Sequence, residues 1–186
     1  MFEFMNLEGL FSAFKDLGNG RADAKATREL LARAEGGSKF VLQSLFREVL
    51  ADARRSAEEL KDPLEVILAL AKIAGYSKDL DDFAMAIALL PKIHNRCAKA
   101  RAKKAIAVAY AKAGKFKEAR DFARSIKSHY WRAEARVAIA EITRSFDDLA
   151  AAEEDLVFIH TEVRDEVGAQ LRALKRKMGV REIIAR

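Results

Sequence analysis

The feature that most constrains this chain is a helical period that keeps being interrupted and restarted. From Leu64 onward, apolar residues recur three and four positions apart in short segments, each cut off by a brief turn. Gly75-Tyr76-Ser77-Lys78 ends one such segment and Gly114-Lys115 ends another. Segments that bury one stripe and are joined by such short turns must pack against their neighbours as antiparallel hairpins. The spacing predicts helices over Leu64–Ala74, Asp81–Ile93, Ala98–Ala113, Phe116–Lys127, Ala133–Thr143, Asp147–His160 and Val163–Met178. Asp62-Pro63 supplies an N-cap and a first-turn proline for the first of them. Upstream, Leu7, Leu10, Phe11, Phe14 and Leu17 line one more helix, Ala22–Ala34 forms a short one, and Ser38 caps a long one whose stripe runs from Leu42 to Leu60. Two prolines, nine glycines and an alanine-dominated stretch from Ala98 to Ala152 agree with helix and argue against a β-rich chain.

The segments also repeat. Leu80, Phe116 and Phe146 each follow a turn and open the second helix of a pair, and the residues around them correspond: Lys78-Asp79-Leu80-Asp81-Asp82-Phe83, Gly114-Lys115-Phe116-Lys117-Glu118-Ala119 and Arg144-Ser145-Phe146-Asp147-Asp148-Leu149. Helix pairs recurring at this spacing predict an all-α superhelix, or solenoid, of about nine to ten helices in one domain over 1–186. Within it, 1–62 supplies N-terminal helices, 63–163 three hairpin repeats, and 164–186 a capping helix with a basic tail. An irregular helical bundle is the plainer alternative. Small residues at Ala105, Ala109, Ala119 and Ala123 would let the helices of a pair approach closely, while Ile106, Tyr110 and Ile126 fill the space between pairs.

The middle unit, Ala107-Val108-Ala109-Tyr110-Ala111-Lys112-Ala113-Gly114-Lys115-Phe116-Lys117-Glu118-Ala119, resembles the tetratricopeptide repeat. It has a small residue in the first helix, a tyrosine further along it, a glycine turn, an aromatic, then an acid–alanine pair. The unit before matches through Leu70, Ala71, Ala74, Leu80 and Leu90, and a shorter turn breaks the register of the unit after. The resemblance implies a right-handed superhelix whose concave groove holds protein segments, and in its register Arg101, Lys104 and Lys112 face that groove.

Charge is distributed in blocks. The whole chain carries +6, but 96–144 holds 14 basic against 4 acidic side chains, and 145–167 holds 8 acidic against 1 basic. A groove bearing Arg101, Lys104 and Lys112, with Trp131 beside it, would take an acidic protein segment through charge-assisted hydrogen bonds. The competing expectation is that the acids of 147–166 neutralise these cations within the fold. Nucleic acid is the rival partner, with Tyr130 and Trp131 placed in an interhelix turn as stackers, and Tyr110, Phe116 and Phe122 assigned to buried stripes. The aromatic N-terminal helix, with Phe2, Phe4, Met5, Phe11 and Phe14, would cap the open end or form a homodimer interface.

Catalytic signals are sparse. Arg124-Ser125-Ile126-Lys127-Ser128-His129 resembles the R-x4-H motif of helical HEPN ribonucleases, which implies phosphate stabilisation by Arg124 and proton transfer by His129. Composition alone accounts for one such match, and Lys127 and His129 would equally complement the C-terminal end of a helix dipole. The acidic groups Glu58-Glu59, Asp81-Asp82, Asp147-Asp148 and Glu153-Glu154-Asp155 point in diverging directions on a helix, so they read as solvated faces and as first-turn charges at helix starts. His94 and Cys97 lack further ligands for a metal, and no motif asks for a cofactor. The expectation is a non-enzyme. The single cysteine excludes an intrachain disulfide, no charge-free run exceeds Phe83–Pro91, and acids occupy the start where a signal peptide is basic. Those features predict a cytoplasmic chain away from membranes, and the scarcity of Asn and Gln matches heat-adapted proteins.

Overall fold

A computed structural model describes residues 39–179. The chain is helical throughout these residues, with no strand among them: α1 (Lys39–Glu58), α2 (Pro63–Ser77), α3 (Leu80–Leu89), a 3-10 turn (Leu90–Lys92), α4 (Arg96–Lys112), α5 (Phe116–Arg124), α6 (His129–Thr143), α7 (Phe146–Leu156) and α8 (Thr161–Lys177). Eight α-helices among the described residues fall short of the nine or ten expected. The helices assigned to Leu7–Leu17 and Ala22–Ala34, and the proposed dimer face, lie outside the described residues. No helix among the described residues is long and apolar enough to cross a membrane.

Local chemistry explains the boundaries. Asp62 accepts from the Leu64 amide ahead of Pro63, and Asn95 accepts from Ala98 (both 3.0 Å), so α2 and α4 begin where a side chain satisfies an orphan N–H. Gly114 has φ +79°, the left-handed geometry that glycine adopts without cost, and it stops α4. Lys78 and Arg144 end α2 and α6 in the same region (φ 59° and 55°), although each carries a Cβ. Asp81–Ile93 is shorter than expected as an α-helix because Pro91 cannot continue it, and the chain tightens into the 3-10 turn. α6 begins at His129, so Tyr130 and Trp131 lie in its first turn rather than in a loop.

α2 packs on α1, α3 and α4; α4 on α2, α5 and α6; α6 on α4, α5, α7 and α8. Two buried apolar clusters result, and α6 serves both: Ala135 and Ile139 face the cluster of α2–α5, while Ala133, Val137 and Ala140 face α7 and α8. The alanines assigned to close approach are buried at Ala109, Ala119 and Ala123, and Ile106, Tyr110 and Ile126 are buried with them. Phe116 departs from expectation. It is 40% exposed, and its counterparts Leu80 and Phe146, each likewise the first residue of its helix, are each 60% exposed.

Candidate binding face of α4

At 100° per residue, Arg101, Lys104, Val108 and Lys112 fall on one stripe of α4. The two neighbouring helices supply its walls. Lys112 Nζ lies 5.1 Å from the ring centre of Tyr76 on α2, and Lys104 Nζ lies 5.2 Å from that of Trp131 on α6. The four residues anticipated from the sequence are thus brought to one face, but they differ in state. Arg101 is exposed and makes no ion pair among the described residues. Lys104 is paired with Glu134, whose other oxygen accepts from the Tyr130 hydroxyl at 3.2 Å. Trp131 is partly buried against the core, and its ring meets Tyr130 edge-on at 5.0 Å. Burial, then the charge of Glu134, pushes the Tyr130 phenol up to about 12, so it stays a hydrogen-bond donor.

Nothing in the sequence singles out Glu134. It is the acid that pairs with Lys104, whereas three acids of 147–166 pair elsewhere: Asp148 with Arg120, Glu153 with Lys175, and Asp155 with Arg132 and Arg136. A residue one helix over, at the height of the Lys104 terminus, cannot be identified from spacing along the chain.

Asp81-Asp82 and Asp147-Asp148 do occupy the first turns of α3 and α7, but the second member of each pair, and the last of the acidic triplet, are not on a solvated face. Asp82, Asp148 and Asp155 are 2%, 6% and 2% exposed. Arg54 grips Asp82 through Nε and Nη2 (2.9 and 2.7 Å) while the Ser77 hydroxyl donates to the same carboxylate at 2.7 Å. Arg120 grips Asp148 identically (2.7 and 2.8 Å), with Thr143 donating at 2.8 Å. Burial alone would raise the Asp148 carboxyl, but the bonds from Arg120 and Thr143 outweigh it and hold it below the ordinary carboxylate value. Asp155 takes Arg132 at 2.6 Å and Arg136 at 2.9 Å. A buried carboxylate survives only when paired and hydrogen-bonded, which all three are.

The residues of the R-x4-H motif are tied to different partners. Arg124 Nη1 holds Asp121 at 2.5 Å, and His129 Nδ1 sits 2.7 Å from Arg132 and 3.4 Å from Asp155. His129 opens α6 rather than ending α5, so it does not complement the C-terminus of α5, and Asp155 supplies its nearby negative charge. A cleft of about 310 Å³ is lined by Arg120, Arg124, Arg136, Asp147 and Asp148. Each of its three guanidiniums is already bound to a carboxylate. No group of three or more metal-ligating side chains occurs among the described residues. Compared with known protein families, curated proteins and solved structures, the chain matches none.

Proposed function

We propose that this chain is a non-catalytic binding scaffold: a short superhelix of helix pairs, tetratricopeptide-like, that takes an acidic protein segment along the exposed stripe of α4. The observation that carries this reading is the convergence of Arg101, Lys104 and Lys112 on one face walled by Tyr76 and Trp131. Arg101 offers an uncompensated guanidinium, suited to bidentate capture of a carboxylate. Lys104 engages a ligand only by leaving Glu134, so Glu134 competes with the acidic segment for the same ammonium. The packing order supports the superhelix, since the first helices α2, α4 and α6 touch in series while α3, α5 and α7 each pack on their own first helix.

Trp131 is the sole tryptophan and reports on the site directly. Titration with a short glutamate-rich peptide is expected to change its fluorescence saturably. Arg101→Glu with Lys112→Glu should abolish the response, and Glu134→Gln should tighten binding several-fold by freeing Lys104. A flat titration, or a charge-reversed pair that binds like the parent, rejects the reading.

A further inference from the structure

A second basic edge lies on the opposite side of α4. Arg96, Lys99 and Lys103 share a stripe roughly 140–160° around the helix from Arg101. Lys103 Nζ crosses to the end of α5 and donates to the Ser125 carbonyl (3.0 Å) and hydroxyl (3.1 Å), which brings this stripe alongside Lys127. Burial, then the charges of Lys99 and Lys127, holds the Lys103 ammonium below its ordinary pKa, so the three cations are close enough to repel. None of Arg96, Lys99, Lys103 and Lys127 forms a salt bridge among the described residues. Two residues beyond Lys127, the His129 ring lies 4.8 Å from that of Phe158, which is 67% exposed. Asp155, whose carboxylate lies 3.4 Å from the His129 ring, is spent on Arg132 and Arg136.

Uncompensated like charges cost stability unless an anion joins them, and an exposed aromatic beside them gives no benefit to the core. Together they make the two parts of a single-strand site: cations tracking phosphates and a ring on which a base stacks. We propose that the edge formed by Arg96, Lys99, Lys103 and Lys127, with the His129–Phe158 ring pair, binds the phosphodiester backbone of a single-stranded nucleic acid and stacks one base on Phe158. The residues are separate from the acidic-segment stripe, so either site can fail without the other.

The test is binding of fluorescein-labelled oligo-uridylate and oligo-deoxythymidylate to the whole chain across a salt series. Saturable binding is expected, with a slope of log affinity against log salt near about −3, from roughly −0.7 for each of four phosphates. Lys99→Glu with Lys127→Glu should weaken it by about tenfold or more. Lys61→Glu with Lys72→Glu, an equal charge change at exposed positions elsewhere, should leave it within about twofold. Phe158→Ala should cost about tenfold. Comparable affinity for the two oligomers supports recognition through backbone and stacking. Absence of binding, equal loss in both charge-reversed pairs, duplex bound as tightly as single strand, or displacement by polyglutamate at equal charge overturns the proposal. Circular dichroism of each variant checks that its helices remain, and Phe158→Ala, which changes no charge, tests the site if a charge-reversed pair unfolds.

Discussion

The joint between α5 and α7 and the joint between α3 and α5 connect equivalent elements by different physics. At the first, Arg120, four residues past the start of α5, grips Asp148, two residues past the start of α7, with Thr143 from the end of α6. The α1–α3 joint copies this with Arg54, Asp82 and Ser77, each 66 positions earlier. Counted from the same turn, the middle joint has Ala84, Glu118 and Ala113 at those positions, and Glu118 is exposed. It is filled instead by Phe83, Tyr110 and Phe122: Phe83 stacks on Tyr110 at 4.0 Å and 6°, and Tyr110 meets Phe122 at 5.5 Å. The corresponding positions in the other two units hold Ala74 and Ala140 for Tyr110, Ala86 and Ala152 for Phe122, and Ala119 and Leu149 for Phe83. One architecture thus accepts either an ion-pair clamp or an aromatic plug. A plug is insensitive to pH, whereas a clamp depends on a carboxylate staying ionised.

That contrast can be broken experimentally. The largest effect is expected from Phe83→Ala, which empties a fully buried site at the plug and should cost about 3–5 kcal/mol in urea unfolding, equally at neutral and acid pH. Asp148→Asn should cost about 2 kcal/mol at neutral pH, less than for a fully buried pair because the Arg120 side chain is 39% exposed and can be rehydrated. The Asp148 carboxyl is lower in the folded chain than in the unfolded one, so its stabilisation is complete above the unfolded value near about 4 and is lost as pH falls through the folded value. Urea midpoints measured from pH 6 downward should fall for the parent, fall less for Asp148→Asn, and keep the parental slope in Phe83→Ala. The smallest effect should come from building a clamp at the middle joint with Ala84→Arg, Ala113→Ser and Glu118→Asp. A gain of about 1 kcal/mol or less, sensitive to acid, would show that the plug leaves room for it. A large loss would show that the two solutions exclude each other.

Helix positions were legible because period and punctuation are local. Gly114 and Pro63 could be placed from the chain alone, and so could the burial of Ile106, Tyr110 and Ile126. The left-handed turns at Lys78 and Arg144 were not legible, since neither residue type favours that geometry. Their chemistry follows from the turn itself: the Ser77 and Thr143 hydroxyls accept from the amides of Asp79 and Ser145 (3.1 and 3.2 Å) and donate to the clamped carboxylates. The stripe of Arg101, Lys104 and Lys112 was visible as a helical spacing, but the partner of Lys104 was not, because Glu134 lies 30 residues away.

The order of residues by itself determined that this chain makes helices, where most of them turn, and most of the small and large apolar side chains that are buried, because each depends on neighbours a few positions apart. Only the tertiary structure decided which charges are spent and which are left over. An adjacent pair such as Asp147 and Asp148 reads the same on both sides, yet one stays exposed and the other is gripped by a guanidinium 28 positions earlier. Ionisation and pairing depend on distance through space, and the chain brings those groups within reach only once the helices have packed.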